Sequence, residues 1–157
     1  MPRPHKSSAL GGTVTRALVA IAFALTACAS PRSGVSGVFT VAVAGQEVLV
    51  GRSDARSGTF VMQSLSESPI ECKGEFRYLM PPTGRAVFDC SNGEHGTLTI
   101  HAQSNNMGVG EGTSSMGPVK VLFGYSLKEV NRQLMPPGRV LEFQNGSVGL
   151  VKVESSQ

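Results

Sequence analysis

The sequence predicts an all-β domain, a small antiparallel sandwich or barrel of about eight to ten short strands with one short helix, and three observations predict it. Apolar and polar residues alternate with period two in several stretches. The clearest places Phe76, Tyr78 and Met80 on one face and Glu75, Arg77 and Leu79 on the other, as a half-buried strand requires. Turn pairs separate such stretches, Asn92-Gly93 and Asn145-Gly146 among them, and these residues tolerate the positive φ of two-residue hairpin turns. Glycine is abundant, 17 of the 130 residues from Cys28 onward, and Trp is absent, a composition suited to many tight turns.

Taken in order, Val38 to Val43 is β-branched and aromatic, and Glu47 to Val50 answers it after Ala44-Gly45-Gln46, a hairpin with a short loop. Arg52 to Gly58 is polar and reads as a turn, and Thr59 to Leu65 as a strand. The alternating stretch stops at Pro81-Pro82-Thr83-Gly84 and returns as Ala86 to Cys90, so Cys72 precedes one arm of a hairpin and Cys90 closes the other. After Asn92-Gly93, Leu98, Ile100 and Ala102 alternate with Thr97, Thr99 and His101. Residues 104–118 carry Gly108, Gly110, Gly112 and Gly117 without a consistent period. They read as a loop or an irregular Gly-rich strand. Val119, Val121, Phe123 and Tyr125 share one face of the next strand. Ser126-Leu127-Lys128-Glu129 fits a capping box, Leu127, Val130 and Leu134 share a helical face, and Pro136-Pro137-Gly138 ends the run, which predicts a short helix. Arg139 to Phe143 and Ser147 to Val153 flank Asn145-Gly146 as a last hairpin.

The amino-terminal region has a different composition. Ala17 to Leu25 is a run of nine apolar residues, preceded by Arg3, Lys6 and Arg16 and no acid. A basic segment, a short apolar segment and small residues make an export signal, and a bilayer span needs about 20 apolar residues. Leu25-Thr26-Ala27-Cys28 resembles the lipobox of bacterial lipoproteins. The resemblance implies that the Cys28 thiol receives a diacylglyceryl group and that lipoprotein signal peptidase cuts between Ala27 and Cys28; in that family the new amino group is often acylated too. Each buried CH₂ contributes about 0.8 kcal/mol, so two or three chains anchor firmly where one does not. In that family an Asp after the cysteine favours inner-membrane retention, and Ala29 stands there, which implies the outer membrane. The expected organisation is a signal at 1–27, a lipidated Cys28 with a flexible tether at 28–36, and a β-rich envelope domain at 37–157.

Charge and cysteine content follow this division. Of the 14 Lys and Arg, Arg3, Lys6 and Arg16 precede Cys28, leaving 11 bases against 11 acids. The alkaline character belongs to the signal, and no clustered Lys and Arg point to nucleic acid. An odd cysteine is awkward in an exported protein. Lipid takes Cys28 under the resemblance, leaving Cys72 and Cys90 to pair in an oxidising compartment and close a loop worth about 3 kcal/mol in the chain-entropy model. The alternative makes Cys72, Cys90, His95 and His101 a mixed zinc set, although their spacing matches no compact zinc pattern. A looser resemblance rests on Cys72-x-Gly74, Cys90-x-Asn92-Gly93-x-x-Gly96 and Val121 to Gly124. These are similar to small uncharacterised β-rich exported proteins of proteobacteria, over residues 59–126, and imply shape without activity.

The sequence holds no G-x-S-x-G, H-E-x-x-H or phosphate loop, and Gly108-Val109-Gly110 is too short for a dinucleotide fingerprint. A serine with Asp89 and His95 or His101 would make a triad only if the fold assembled it. Phe76, Tyr78 and Tyr125 would serve a carbohydrate or small ligand, but aromatics at strand spacing usually belong to a core. No catalytic residue, metal or cofactor is assigned. The expectation is a lipid-anchored envelope protein with a non-catalytic structural or interaction role, its partners the membrane and an envelope protein. The alternatives are a binding or inhibitor module for an envelope ligand or hydrolase and, third, an envelope hydrolase.

Overall fold

Eight consecutive antiparallel strands close on themselves in the computed structural model, which describes residues 37–153. The segments expected to be an export signal and a tether, with Cys28, lie outside those residues. The strands are β1 (Val38–Ala44), β2 (Glu47–Asp54), β3 (Thr59–Ser64), β4 (Glu71–Met80), β5 (Thr83–Cys90), β6 (His95–Ser104), β7 (Met107–Ser114) and β8 (Gly117–Phe123). Each pairs with the next, and β8 pairs with β1 through contacts such as Val41 with Leu122. Of the two predicted all-β architectures the chain adopts the barrel, which leaves no sheet edge to protect. Helix α1 (Leu127–Gln133) and a separate hairpin, β9 (Arg139–Gln144) with β10 (Ser147–Lys152), follow it.

Side chains alternate between the inside and outside of the wall. Ala42, Leu49, Met62, Ala86, Leu98 and Val121 point inward among the buried set. On β4, β5 and β6 the outward positions are exposed, which is why period two is legible there. On β1, on the start of β2 and on the end of β8 both faces are covered. Val41, Val48 and Leu122 point outward yet are buried against Val130 of α1 and Leu141 of β9. That second cluster explains why β1 is apolar at both inward and outward positions, Thr40 excepted.

Aromatic rings fill the interior by lying over glycines. Phe60 and Phe88 are both cross-strand partners of Gly74, Phe88 is also opposite Gly96, and Phe123 is opposite Gly108. A Cβ on Gly74 would fall 2.2 Å from Phe60 Cζ, and one on Gly108 would fall 2.5 Å from Phe123 Cζ. Inward positions 108, 110 and 112 of β7 are all glycine, so this strand is wall without filling. The stretch at 104–118 is therefore mainly an ordered strand, one of the two readings its composition allowed.

Three details depart from expectation. Strand β2 runs to Asp54, and the turn expected over 52–58 is confined to Ala55–Gly58. Its tightness comes from Asp54, whose Oδ1 accepts the Arg56 amide at 2.8 Å. Strand β8 ends at Phe123, and Tyr125 instead packs in the outer cluster. Met80 does not share the buried face with Phe76, because the register shifts between Tyr78 and Met80 and the hairpin leaves the wall there.

The helix forms where its cap predicts. Ser126 Oγ accepts the Glu129 amide at 3.3 Å, and Glu129 Oε2 accepts the Ser126 amide at 3.2 Å. This reciprocal pair satisfies two of the donors a helix start leaves free. Asn131 joins helix to hairpin, donating from Nδ2 to the Leu141 carbonyl at 3.0 Å and accepting the Leu141 amide at 2.7 Å. A two-stranded hairpin is marginal alone, and these contacts tie it down.

Candidate functional site

Cys72 and Cys90 are directly opposed on β4 and β5 and joined in a disulfide, their Cα atoms 4.0 Å apart. The bridge pins that strand pair at the end opposite its Pro81-Pro82 turn, and it removes both thiolates from any metal set. His95 and His101 lie six residues apart on the outer, exposed face of β6, about 20 Å along the strand. Asp89 is the cross-strand partner of His95, but among the described residues no side-chain hydrogen bond connects them, nor do three His, Cys, Asp or Glu gather as for a metal ion. Cys28 and Ala27 lie outside the described residues.

The topology sorts the loops into two ends. The β2–β3, β4–β5 and β6–β7 turns share one end with the entry of β1 at Val38 and the exit of β8 at Phe123. Here the barrel has an apolar mouth. Phe76 and Tyr78 meet edge to face, centroids 5.9 Å apart, and with Val38, Ile100 and Phe123 they border a small recess of about 20 Å³. Beneath it, a cavity of about 50 Å³ is lined almost entirely by apolar side chains, with Thr40 and Ser53 its hydroxyl-bearing members. Thr40 Oγ1 donates to the Val38 carbonyl at 3.0 Å and accepts from Ser53 Oγ at 2.9 Å, so both hydroxyl protons of the cavity are already engaged within the wall.

The chain matches no protein-family model, no curated protein and no solved structure.

The rim of the mouth carries two features. The β4–β5 hairpin projects with Leu79 74% and Met80 76% exposed, followed by exposed Pro81 and Pro82. Beside it stand exposed Arg56 in the β2–β3 turn and the cross-strand pair Arg77 and Arg85. Among the described residues neither Arg77 nor Arg85 has a carboxylate within salt-bridge distance. Two acids stand at this end as well, exposed Glu75 opposite Thr59 and Asp54, which is held below the ordinary carboxylate range, first by the hydrogen bond from the Arg56 amide. The far end has the opposite character, with Glu47, Glu67, Glu71 and Glu94 at its turns and strand starts. Two bases stand there as well, Lys73, paired with Glu71 at 2.7 Å, and Arg139, whose Nη1 donates to the Gln46 carbonyl at 3.5 Å, so the acids outnumber them.

Leu79 and Met80 were hidden in the alternating pattern, where one fell on the polar face and the other on the apolar one. The signal that finds them is two large apolar residues immediately before Pro-Pro. A strand that ends on such a turn carries its last residues past the sheet they would pack on.

Proposed function

We propose that this is a lipid-anchored cell-envelope protein, exported, cut before Cys28 and held at the outer membrane, whose barrel works by contact with other envelope components. The observation that carries the proposal is Leu25-Thr26-Ala27-Cys28 directly after a basic and then apolar segment. The disulfide supports it twice. It suits an oxidising compartment, and it accounts for Cys72 and Cys90, leaving Cys28 as the third cysteine. A role in contact is favoured over catalysis because the interior is packed with apolar side chains and both histidines of the domain stand on the solvent wall.

The test compares wild type with Cys28→Ser by membrane fractionation and intact mass. The expected wild-type protein begins at Cys28, carries the mass of its acyl chains and sediments with membranes, while the variant loses both. Residues 1–27 retained on wild type, or unchanged membrane association of the variant, ends the proposal.

A further inference from the structure

We infer that the mouth end of the barrel lies against an anionic lipid surface, with the Leu79–Pro82 hairpin tip seated among the headgroups and Arg56, Arg77 and Arg85 facing their phosphates. The inference rests on the anchor proposed above and adds which face of the domain meets the bilayer. Three independent observations converge on it.

The first is where the chain enters. β1 starts at Val38 on the mouth end, and nine residues lie between Cys28 and Val38, so the ten steps reach at most about 36 Å. Strands β4 and β6 are 10 residues long, about 33 Å each if untilted. A lipid on Cys28 therefore keeps the mouth end within about 36 Å of the bilayer, a reach comparable with the barrel's length, so the tip and the charge decide which end makes contact.

The second is the tip itself. Leu79 and Met80 are the most exposed of the large apolar side chains described for the barrel. They sit on a projecting hairpin, not on the wall, and a side chain at the headgroup boundary gains apolar contact that it lacks in water. The third is the charge. Arginines at the rim face a surface of lipid phosphates favourably, whereas Glu47, Glu67, Glu71 and Glu94 mark the opposite end as the one such a surface repels.

The chain has no Trp, which permits a single-site reporter. Lipidated full-length Leu79→Trp and, as the far-end control, Asn92→Trp are reconstituted into phosphatidylethanolamine–phosphatidylglycerol vesicles containing lipids brominated on their acyl chains. Both positions are exposed turn or turn-flanking sites. The expected result is flotation of both proteins, with the emission of Trp at 79 shifted to the blue and reduced about twofold while that at 92 is unchanged. Arg77→Glu with Arg85→Glu is expected to abolish that quenching while flotation persists. Flotation with equal, unquenched emission from both positions overturns the inference and leaves the anchor intact. Failure of either protein to float overturns the anchor and the inference with it. A blue shift at 79 that requires native envelope membranes and is absent from vesicles assigns the tip to a protein partner and overturns the lipid assignment.

Discussion

The ring of Phe88 lies over Gly96, its cross-strand partner, so closely that a Cβ on the glycine would fall 2.5 Å from the ring's Cζ and 2.8 Å from the Thr113 carbonyl oxygen. The barrel is small enough that ring and methyl compete for one volume. Phe88→Ala is expected to cost about 3–5 kcal/mol through the cavity it leaves, and Gly96→Ala about 1–3 kcal/mol through overpacking, both read from urea midpoints.

Two glycines of one strand should respond in opposite directions. A Cβ on Gly112 would fall 2.0 Å from the Thr97 carbonyl oxygen, against backbone that cannot turn aside, whereas one on Gly110 meets nothing nearer than 3.5 Å and points toward the interior cavity. Gly112→Ala is expected to destabilise by about 1–3 kcal/mol. Gly110→Ala is expected to be neutral or to stabilise by up to about 1 kcal/mol, since it also restricts the unfolded chain. Thermal unfolding of the pair decides it, and equal losses would refute the packing described for β7.

The Cys72–Cys90 bridge spans 18 residues. Replacing both cysteines by Ala is expected to cost about 2–4 kcal/mol while leaving the barrel's circular dichroism unchanged at low temperature. Wild type in strong reductant should approach the variant's stability, and a variant already insensitive to reductant provides the control.

Asn131 holds the free edge of β9 through both the amide and the carbonyl of Leu141. Asn131→Ala leaves those two backbone groups without their partner, at a cost of about 1–3 kcal/mol. Amide exchange should localise the effect, with faster exchange at Leu141 and along β9–β10 and none added in β4–β6.

Hydrogen bonds from the Ser126 side chain and amide hold the Glu129 carboxyl below the ordinary glutamate range. A depressed folded-state pKa contributes stability that is present in full above the unfolded value, about 4.3, and is lost as pH falls through the lower folded value. The wild-type minus Glu129→Gln difference in Tm should therefore be constant at neutral pH and shrink below about pH 4. Ser126→Ala, which removes the side-chain hydrogen bond and keeps the amide's, should weaken that pH dependence at a cost of about 1 kcal/mol for the cap.

Local chemistry was legible from the residues alone. Turn pairs at Asn92-Gly93 and Asn145-Gly146, alternation across 97–103 and the capping box at Ser126 each act within a few residues, and each appears where expected. Alternation scored by hydropathy could not register β7, because its inward residues are glycines; a period of small residues alternating with Val109, Glu111 and Thr113 is the pattern that describes it. The candidate site was less legible still, since Arg56, Leu79 and Arg85 belong to three different strands or turns.

The amino-acid order by itself determined the β class, most element boundaries, the helix with its cap and the candidate lipid cysteine, and it left the Cys72–Cys90 bridge as one of two readings that the structure decided. Closure into a barrel rather than a sandwich, the seating of Phe60, Phe88 and Phe123 over glycines, and the gathering of the apolar tip and arginines at the end where β1 enters were decided only by the tertiary structure. The division is physical. Turns, caps and strand periods are set by neighbours along the chain, whereas closure depends on β8 meeting β1 across about 80 residues, where the energy comes from how all eight strands fill one shared interior.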